Sequence, residues 1–340
     1  MNYITKLANN TTKNIISKIL PDFFFKKIPH EIIIEPTNVC NLKCPVCPTT
    51  FGMKRKTGFL KFETFKSIID DIKPYKRKPQ ISMNFAGEPM LNKEIYSFVK
   101  YANQNSHKTF ISTNVTAINE QNSRDLIQSG LDSINLCVDG FSNKSHDTYR
   151  IGSDFNIIKK NIETFMKVKQ ELKSKNPYVQ IQTLLTTLSV PEKNDMVKWA
   201  KEIKVDSIYF KSLSMQLGHT KDIDPNVIKE IKEKWSFLVP LQEKFKRKQF
   251  SIAKNYCGIP LKQSVVYWNG DLGLCCIDYD NVIMNTNISD KGYLKTLFSN
   301  DVIKKRRLGL NKKQKICENC DLGNADYMGY QETIDQEISF

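Results

Sequence analysis

Short apolar runs alternate with amphipathic stretches from residue 31 onward. Six runs predict strands, at Glu31–Glu35, Ile81–Phe85, Thr109–Thr113, Ser133–Val138, Val179–Leu185 and Ser207–Lys211. Five stretches between them predict helices, at Phe62–Ile72, Lys93–Asn103, Asn119–Gln128, Phe155–Leu172 and Glu192–Lys201. This alternation indicates an α/β protein with a parallel sheet built of right-handed crossover units. A partial (β/α)6 barrel fits the pattern, and so does a doubly wound sheet, because periodicity alone does not separate them.

The pattern changes on both sides of this block, which suggests five segments. We expect a basic extension at 1–30 with a short amphipathic helix ended by Pro21, and the barrel at 31–212. A charged helical bridge follows at 213–255, then a small unit at 256–325 and an acidic tail at 326–340. The small unit holds five cysteines and few apolar residues, so we expect it to need a metal or other staple to fold.

Composition narrows the class of protein. Of 340 residues 40% are hydrophobic, which is enough for a packed core. The sequence has no apolar run long enough for a transmembrane segment and no signal peptide at its start, so we expect a cytoplasmic protein. The net charge of +15 fits solvated lysine-rich surfaces or an anionic partner. Nucleic acid is not expected, because no binding motif accompanies the charge.

Three cysteines follow the first predicted strand, in the segment E-P-T-N-V-C-N-L-K-C-P-V-C-P that starts at Glu35. Cys40, Cys44 and Cys47 lie within eight residues, so a compact loop could wrap one metal cluster. Iron–sulfur clusters usually take four thiolates, so three would leave one iron open to a small molecule. The alternative is a zinc knuckle, but no histidine or fourth cysteine lies nearby.

The spacing C-x-x-x-C-x-x-C at the end of a first strand resembles the signature of the radical S-adenosylmethionine (SAM) superfamily. The resemblance implies a radical SAM barrel with a [4Fe–4S] cluster on Cys40, Cys44 and Cys47. In that family the amino and carboxylate groups of SAM bind the open iron. Reduction by a donor such as flavodoxin or ferredoxin cleaves SAM to methionine and a 5′-deoxyadenosyl radical, which takes a hydrogen atom from the substrate.

Other motifs follow in the family's order. Gly87, Glu88 and Pro89 come after the second strand and resemble the G-G-E-P motif, with Ala86 in place of the first glycine. The resemblance implies that this segment binds the SAM ammonium, and a carboxylate suits that cation.

Polar residues end the next two strands. The resemblance implies that Ser112 and Asn114 meet the SAM ribose or the reacting region, although a plain strand-end role is equally open. Cys137 and Asp139 resemble the family's S-x-D-G, with Cys137 in the serine place, and we expect it to pack as a small apolar residue. Arg150 is a candidate partner for a carboxylate such as that of SAM.

The second set of cysteines resembles the auxiliary-cluster domain called SPASM, or Twitch in its shorter form. The resemblance implies a second [4Fe–4S] cluster with four protein ligands, at Cys257, Cys275, Cys317 and Cys320. Cys276 is then spare. A tetrahedral zinc site is the alternative, since four thiolates suit zinc equally well.

Three functions remain open. The first is an oxidoreductase or epimerase acting on a carbohydrate or cyclitol-type small molecule, similar to the 2-deoxy-scyllo-inosamine dehydrogenase of butirosin biosynthesis. The second is a peptide- or protein-modifying maturase, and the third a non-catalytic iron–sulfur protein. No catalytic acid or base is assigned. Five residues could line the pocket or have ordinary strand and core roles: Gln180, Gln182, Lys211, Tyr267 and Trp268.

Overall fold

The computed structural model describes residues 22–213, 225–239, 257–317 and 320. The helix predicted before Pro21, most of the bridge and the acidic tail lie outside these residues. Among the residues that it describes, no helix is both long and apolar enough to cross a lipid bilayer.

One eight-stranded sheet runs through the molecule in the order β6-β5-β4-β3-β2-β1-β7-β8. All neighbouring strands are parallel except β7 and β8, which form an antiparallel pair. The strands are β1 Glu31–Ile34, β2 Gln80–Met83, β3 Thr109–Thr113, β4 Ser133–Cys137, β5 Tyr178–Leu185, β6 Ser207–Ser212, β7 Gln263–Val266 and β8 Leu272–Gly273.

The strand order separates the two candidate folds. From β1 to β6 each strand pairs with the next one along the chain. Right-handed crossovers in a constant direction place the connecting helices on one face of the sheet, whereas a doubly wound sheet reverses its strand order at a switch point. The α/β fold with a partial (β/α)6 barrel is therefore confirmed.

The helices follow the predicted alternation closely. The five predicted helices form with ends that shift by at most two residues, and two short helices after β1 and β4 were missed because four and seven residues give little periodic signal. The helices are α1 Pro48–Phe51, α2 Phe62–Ile72, α3 Ile95–Gln104, α4 Glu120–Gln128, α5 Asn143–Tyr149, α6 Phe155–Glu171, α7 Lys193–Glu202, α8 Pro225–Trp235, α9 Ile259–Lys262, α10 Tyr293–Leu297 and α11 Asn300–Leu310.

The two faces of the sheet differ in polarity. On β4, Ile134 and Leu136 are fully buried in the main hydrophobic core, while Asn135 between them belongs to the other face and is partly exposed. Phe65 of α2 and Phe98 of α3 stack with ring centroids 4.7 Å apart in that core. Side chains alternate along a strand, so the outer face packs on helices and the inner face of the barrel carries polar groups.

The small C-terminal unit is joined to the barrel through the sheet itself. β7 pairs in parallel with β1, from Glu31 opposite Gln263 to Ile34 opposite Val266. The proposed units at 31–212 and 256–325 therefore share one sheet, which the sequence pattern did not predict. The pairing places the loop after β7 beside the loop that carries the first three cysteines.

A buried ion pair fastens the two loops together. The guanidinium of Arg55 donates to both carboxylate oxygens of Glu35, at 2.8 and 2.7 Å, and their side chains are 9% and 0% exposed. The same guanidinium lies 4.1 Å from the ring centroid of Tyr267, and the backbone N–H of Trp268 donates to Glu35 at 3.2 Å. A buried carboxylate is costly unless it is paired, so this arrangement requires both loops.

Further contacts hold the segment around Arg55. The backbone N–H groups of Lys54 and Arg55 donate to Asp280 Oδ1 at 2.7 and 3.3 Å. The indole N–H of Trp268 donates to the carbonyl of Lys56 at 3.1 Å. We call the contacts that join Glu35, residues 54–58 and residues 267–280 the clasp.

Loss of the Arg55 side chain should destabilise the protein strongly. We expect Arg55→Met to lower the free energy of unfolding by about 3–5 kcal/mol, because it leaves Glu35 buried without its cation. The measurement is urea unfolding under anaerobic conditions. The matched control is Arg124→Met, which removes an exposed ion pair with Glu120 and Glu171 and should have little effect. Equal destabilisation by the two variants would contradict the role given to the clasp.

Candidate active site

A cavity of about 240 Å³ lies at the carboxyl ends of the strands. Such ends meet at one edge of the sheet, which is where barrel enzymes carry their active sites. The cavity is lined by Cys40, Leu42, Cys44, Cys47, Pro48, Thr49, Asn84, Phe85, Ala86, Gly87, Glu88, Ser112, Thr113, Asn114, Cys137, Arg150, Gln182 and Tyr279.

The three cysteines of the first motif share one wall of this cavity. Their loop is closed by a backbone hydrogen bond of 3.1 Å from Cys47 N to Cys44 O, and the Leu42 N–H donates to Cys40 Sγ at 3.5 Å. Burial raises the pKa of Cys44 to about 12, and burial also raises the pKa of Cys40. Thiols in this state are protonated at neutral pH, so a bound cation must compensate the desolvation before they serve as thiolate ligands.

The donor set fits an iron–sulfur cluster better than a single ion. Within the described ranges no three Cys, His, Asp or Glu side chains converge tightly enough to hold one metal ion. A four-iron cluster is larger than an ion, and its irons can each take one thiolate from separate points on the wall. Cys40, Cys44 and Cys47 open onto one cavity, so the residues present fit a [4Fe–4S] cluster held by three thiolates.

Glu88 lines the same cavity and is almost fully buried, at 2% exposure. Its carboxylate accepts hydrogen bonds from Thr113 Oγ1 at 2.7 Å, from the Asn114 N–H at 2.7 Å and from the Met90 N–H at 3.1 Å. Burial raises its pKa, and these three donors oppose that shift. The carboxylate is therefore held in a fixed direction and needs a cation to complete its environment.

Gly87 brings this carboxylate close to the cysteine loop. The Glu88 N–H donates to the carbonyl of Val39 at 2.8 Å. Gly87 has φ of +74°, and a Cβ there would lie 2.5 Å from the carbonyl oxygen of Thr37 and 2.7 Å from that of Val39. Only glycine allows this approach. Pro89 then begins a short 3-10 turn. Of the three motif residues, Gly87 and Pro89 therefore shape the backbone, and Glu88 supplies the carboxylate.

The strand-end residues Ser112, Asn114 and Cys137 also meet at the cavity. Ser112 Oγ lies 3.4 Å from Cys137 Sγ, and Gln182 Nε2 donates to the same sulfur at 3.6 Å. Asn114 Nδ2 donates to Asn41 Oδ1 at 3.0 Å, which ties β3 to the cysteine loop. Cys137 is buried, as expected for a small apolar residue, but its polar neighbours and its place in the cavity wall were not predicted.

Arg150 reaches the cavity from the end of α5. Its Nε donates to Asp139 Oδ2, while Asp139 Oδ1 accepts from the Leu184 N–H at 2.6 Å. The Asp139 N–H donates to His146 Nδ1 at 3.1 Å, and burial lowers the pKa of His146 to about 4. His146 is therefore neutral at physiological pH and supports the backbone, while Arg150 brings the cation to the cavity.

Sequence reasoning missed three residues of the site. Asn84 ends β2 and lines the cavity, and Tyr279 lines it from the C-terminal unit. Burial and the charges of Cys276 and Cys47 raise the pKa of Tyr279, so its phenol stays neutral. Arg55 supports the site through the clasp. Asn84 lies next to the Gly87–Glu88–Pro89 motif in the chain, whereas Arg55 and Tyr279 follow cysteine motifs, and the pairing of β7 with β1 brings Tyr279 to the cavity.

Of the five residues predicted to line the pocket, three lie on the inner face of the barrel and two belong to the clasp. Gln182 lines the cavity. Gln180 and Lys211 occupy positions of the same strand face on β5 and β6. Tyr267 is fully buried under Arg55, and Trp268 packs its ring against Gly58, so these two belong to the clasp.

The second set of cysteines also gathers in space. The pKa of Cys317 is raised to about 11 by burial and by the charges of Cys257 and Cys320. Burial raises the pKa of Cys275 further, with Cys317 contributing. Cys276 interacts in the same way with Cys320 and Cys257, and its pKa rises to about 12. The five thiols of this unit therefore influence one another electrostatically, and Cys276 does so alongside the four predicted ligands.

Sequence comparison identifies a conserved domain in the chain. Residues 34–179 match the model of the radical SAM superfamily. The chain is 27% identical to the AdoMet-dependent heme synthase of Oleidesulfovibrio alaskensis over 170 residues, which are 50% of this chain and 42% of that protein. The match thus spans less than half of the relative's length.

Solved structures support the same assignment at the level of fold. The crystal structure of BtrN in complex with AdoMet and 2-DOIA superposes with a TM-score of 0.55 at 17% identity, covering 91% of this chain and 99% of BtrN. That of Streptococcus suis SuiB bound to the precursor peptide SuiA gives 0.62 at 18% identity, covering 88% and 72%. Residues 34–179 therefore match the radical SAM superfamily, and the fold of the chain is similar to the folds of these two solved structures.

Proposed function

We propose that this protein is a radical SAM enzyme that abstracts a hydrogen atom from a carbohydrate or cyclitol-type small molecule. The observation that carries the proposal is the shared cavity of Cys40, Cys44, Cys47 and Glu88. When bound, the [4Fe–4S] cluster and SAM supply reductive cleavage of SAM and the 5′-deoxyadenosyl radical.

Glu88 binds the ammonium of SAM. Its carboxylate is buried and already oriented by Thr113, Asn114 and Met90, so a cation placed against it gains a charge-assisted hydrogen bond without reorganisation. Gly87 lets this carboxylate approach the cysteine loop, which puts the amino group beside the open metal position.

Ser112, Asn114 and Arg150 orient the rest of the molecule. The hydroxyl and amide at the end of β3 suit the ribose hydroxyls, which both donate and accept. Arg150 suits the carboxylate of SAM, since its guanidinium opens onto the cavity while Nε is held by Asp139.

The C-terminal unit closes the cavity on the substrate side. Tyr279 lines the wall, and the clasp holds its backbone because Arg55 Nε donates to the Tyr279 carbonyl. Cys257, Cys275, Cys317 and Cys320 would hold a second [4Fe–4S] cluster, which would supply an electron acceptor. Loss of one further electron to that cluster, together with the hydroxyl proton, would give a dehydrogenation after hydrogen abstraction, and return of a hydrogen atom to the carbon radical would give an epimerisation.

A peptide- or protein-modifying activity is the second candidate. The likeness to SuiB bound to its precursor peptide extends over 88% of this chain. A peptide would also find hydrogen-bond partners on the polar inner face of the barrel. The match to BtrN covers 99% of that chain, which favours a small-molecule substrate over a peptide.

Iron content tests the two metal sites. Anaerobically reconstituted protein should hold about eight irons and eight sulfides per chain, from two four-iron clusters. Replacing Cys40, Cys44 and Cys47 together with alanine should halve both values. Cys137→Ala is the control and should keep them. Zinc in place of the second set of irons would overturn the auxiliary cluster.

Glu88→Gln tests the binding of SAM. The amide keeps the shape of the carboxylate but loses its charge, so SAM affinity should fall by about 1.5–3 kcal/mol, the scale of a hydrogen bond to a charged group. Equilibrium binding of SAM to the reconstituted protein measures this. Glu63→Gln, on the exposed surface of α2, should bind SAM like the wild type. Unchanged affinity in Glu88→Gln would show that another group receives the ammonium.

The substrate can be found by its effect on SAM cleavage. Fractionated metabolites that increase 5′-deoxyadenosine formation by reduced enzyme contain it, and purified peptides tested alongside separate the second candidate. With the substrate in hand, Cys317→Ala should still form 5′-deoxyadenosine but lose oxidised product, while Cys276→Ala should keep both. Product mass in deuterated water decides the outcome, because a loss of two hydrogens indicates dehydrogenation and one gained deuterium indicates epimerisation.

A further inference from the structure

Two buried carboxylates of the barrel are paired with arginines, whereas Glu31, Glu88 and Lys211 make no ion pair with a described residue. Glu35 is neutralised by Arg55, and Asp139 by Arg150. Glu88 is an anion without an ion-pair partner among the described residues, and the proposed function assigns it to the ammonium of SAM. Lys211 is a cation without an ion-pair partner among the described residues.

Lys211 belongs to the inner face of β6. Its neighbour Phe210 is fully buried in the main hydrophobic core, so alternation along the strand places Lys211 on the opposite face. Lys211 pairs in register with Leu184 on β5, and Leu184 packs against the cluster of Leu42, Cys44, Tyr149, Leu213 and Leu238, as Cys40 and Cys47 also do. The amine is therefore attached at the rim of the barrel, close to the cysteine loop.

Within the described ranges Lys211 makes no ion pair. Its Nζ lies 5.5 Å from the ring centroid of Tyr209. Burial lowers the pKa of Lys211, and the titratable groups that oppose this shift are Cys137, Asp139 and Cys276. Asp139 already serves Arg150, and both thiols are buried with raised pKa values, so none of the three supplies a carboxylate for the amine.

Amides and hydroxyls lie on the strands next to this lysine. Asn135 Nδ2 donates to Gln182 Oε1 at 3.3 Å, and one rung lower Gln180 Nε2 donates to Ser207 Oγ at 2.9 Å. Amides and hydroxyls on adjacent strands suit a ligand rich in hydroxyl groups, because each can both donate and accept. The inner face of the barrel can thus bind hydroxyl groups of a ligand, and Lys211 places a cation at its edge.

We propose that Lys211 binds an anionic group of the substrate, a phosphate or a carboxylate, while the hydroxylated body lies against Gln182 and its neighbours. The inference rests on the proposed function and narrows it to acidic or phosphorylated sugars and cyclitols. An aminocyclitol would instead bring an ammonium toward Lys211, so like charges disfavour it.

Residue-resolved pulse acetylation of the reconstituted, SAM-loaded enzyme tests this assignment. Brief exposure to acetic anhydride at a series of pH values, followed by peptide mass spectrometry, gives the reactivity of each lysine amine. The probes are inorganic phosphate and formate, with chloride at equal ionic strength to account for screening. Lys204, which is exposed, is the internal control.

We expect saturable loss of Lys211 labelling with phosphate or formate, and none with chloride or at Lys204. The stronger protector identifies the anionic group as phosphate or carboxylate. Protection by SAM alone, with no further effect of either probe, would assign Lys211 to the SAM carboxylate and overturn the proposal. Equal labelling with and without both probes would also overturn it.

These outcomes do not depend on turnover. If the proposed function fails because the reduced protein does not cleave SAM, the labelling still reports whether Lys211 binds an anion. If neither anion protects Lys211 while the enzyme still cleaves SAM, only the assignment of an anionic substrate is overturned.

Discussion

Glu35 stands where β1 ends and the cysteine loop begins, and Arg55 neutralises it from the far side of that loop. Both side chains are almost fully buried, so neither can lose its partner without leaving an uncompensated charge in the interior. Because Tyr267 and Trp268 complete the pair, the barrel and the C-terminal unit must be assembled together for it to form. The position of the cysteine loop, of Tyr279 and of the cavity wall depends on this contact.

The same principle, a buried charge fixed by its partners, recurs around the cavity. Asp139 holds Arg150 at the wall, and hydrogen bonds hold the Glu88 carboxylate. Such groups are fixed before any ligand arrives, which lets them orient a charged cosubstrate without rearranging. Neither Glu88, which follows β2, nor Lys211 on β6 makes an ion pair with a described residue. The proposed site therefore recognises one cation and one anion.

Cys276 shows how local rules and tertiary structure differ. In the sequence it is the neighbour of Cys275 and one thiol too many. In the structure Cys276 packs against Ile33, Val265 and Tyr267, where β7 joins β1. Its thiol is coupled electrostatically to Cys257 and Cys320 and also to Lys211.

The sequence by itself determined the alternation of strands and helices, and with it the parallel sheet, because hydrophobic periodicity is a local property. It also determined the first cysteine loop and the Gly87–Glu88–Pro89 turn, since their residues are adjacent in the chain. The pairing of β7 with β1, the clasp at Glu35 and Arg55, and the place of Tyr279 in the wall were decided only by tertiary structure. Except for the ion pair itself, these contacts join residues more than 200 positions apart in the chain. Burial and charge in the folded interior select the partners, and no local sequence pattern records them.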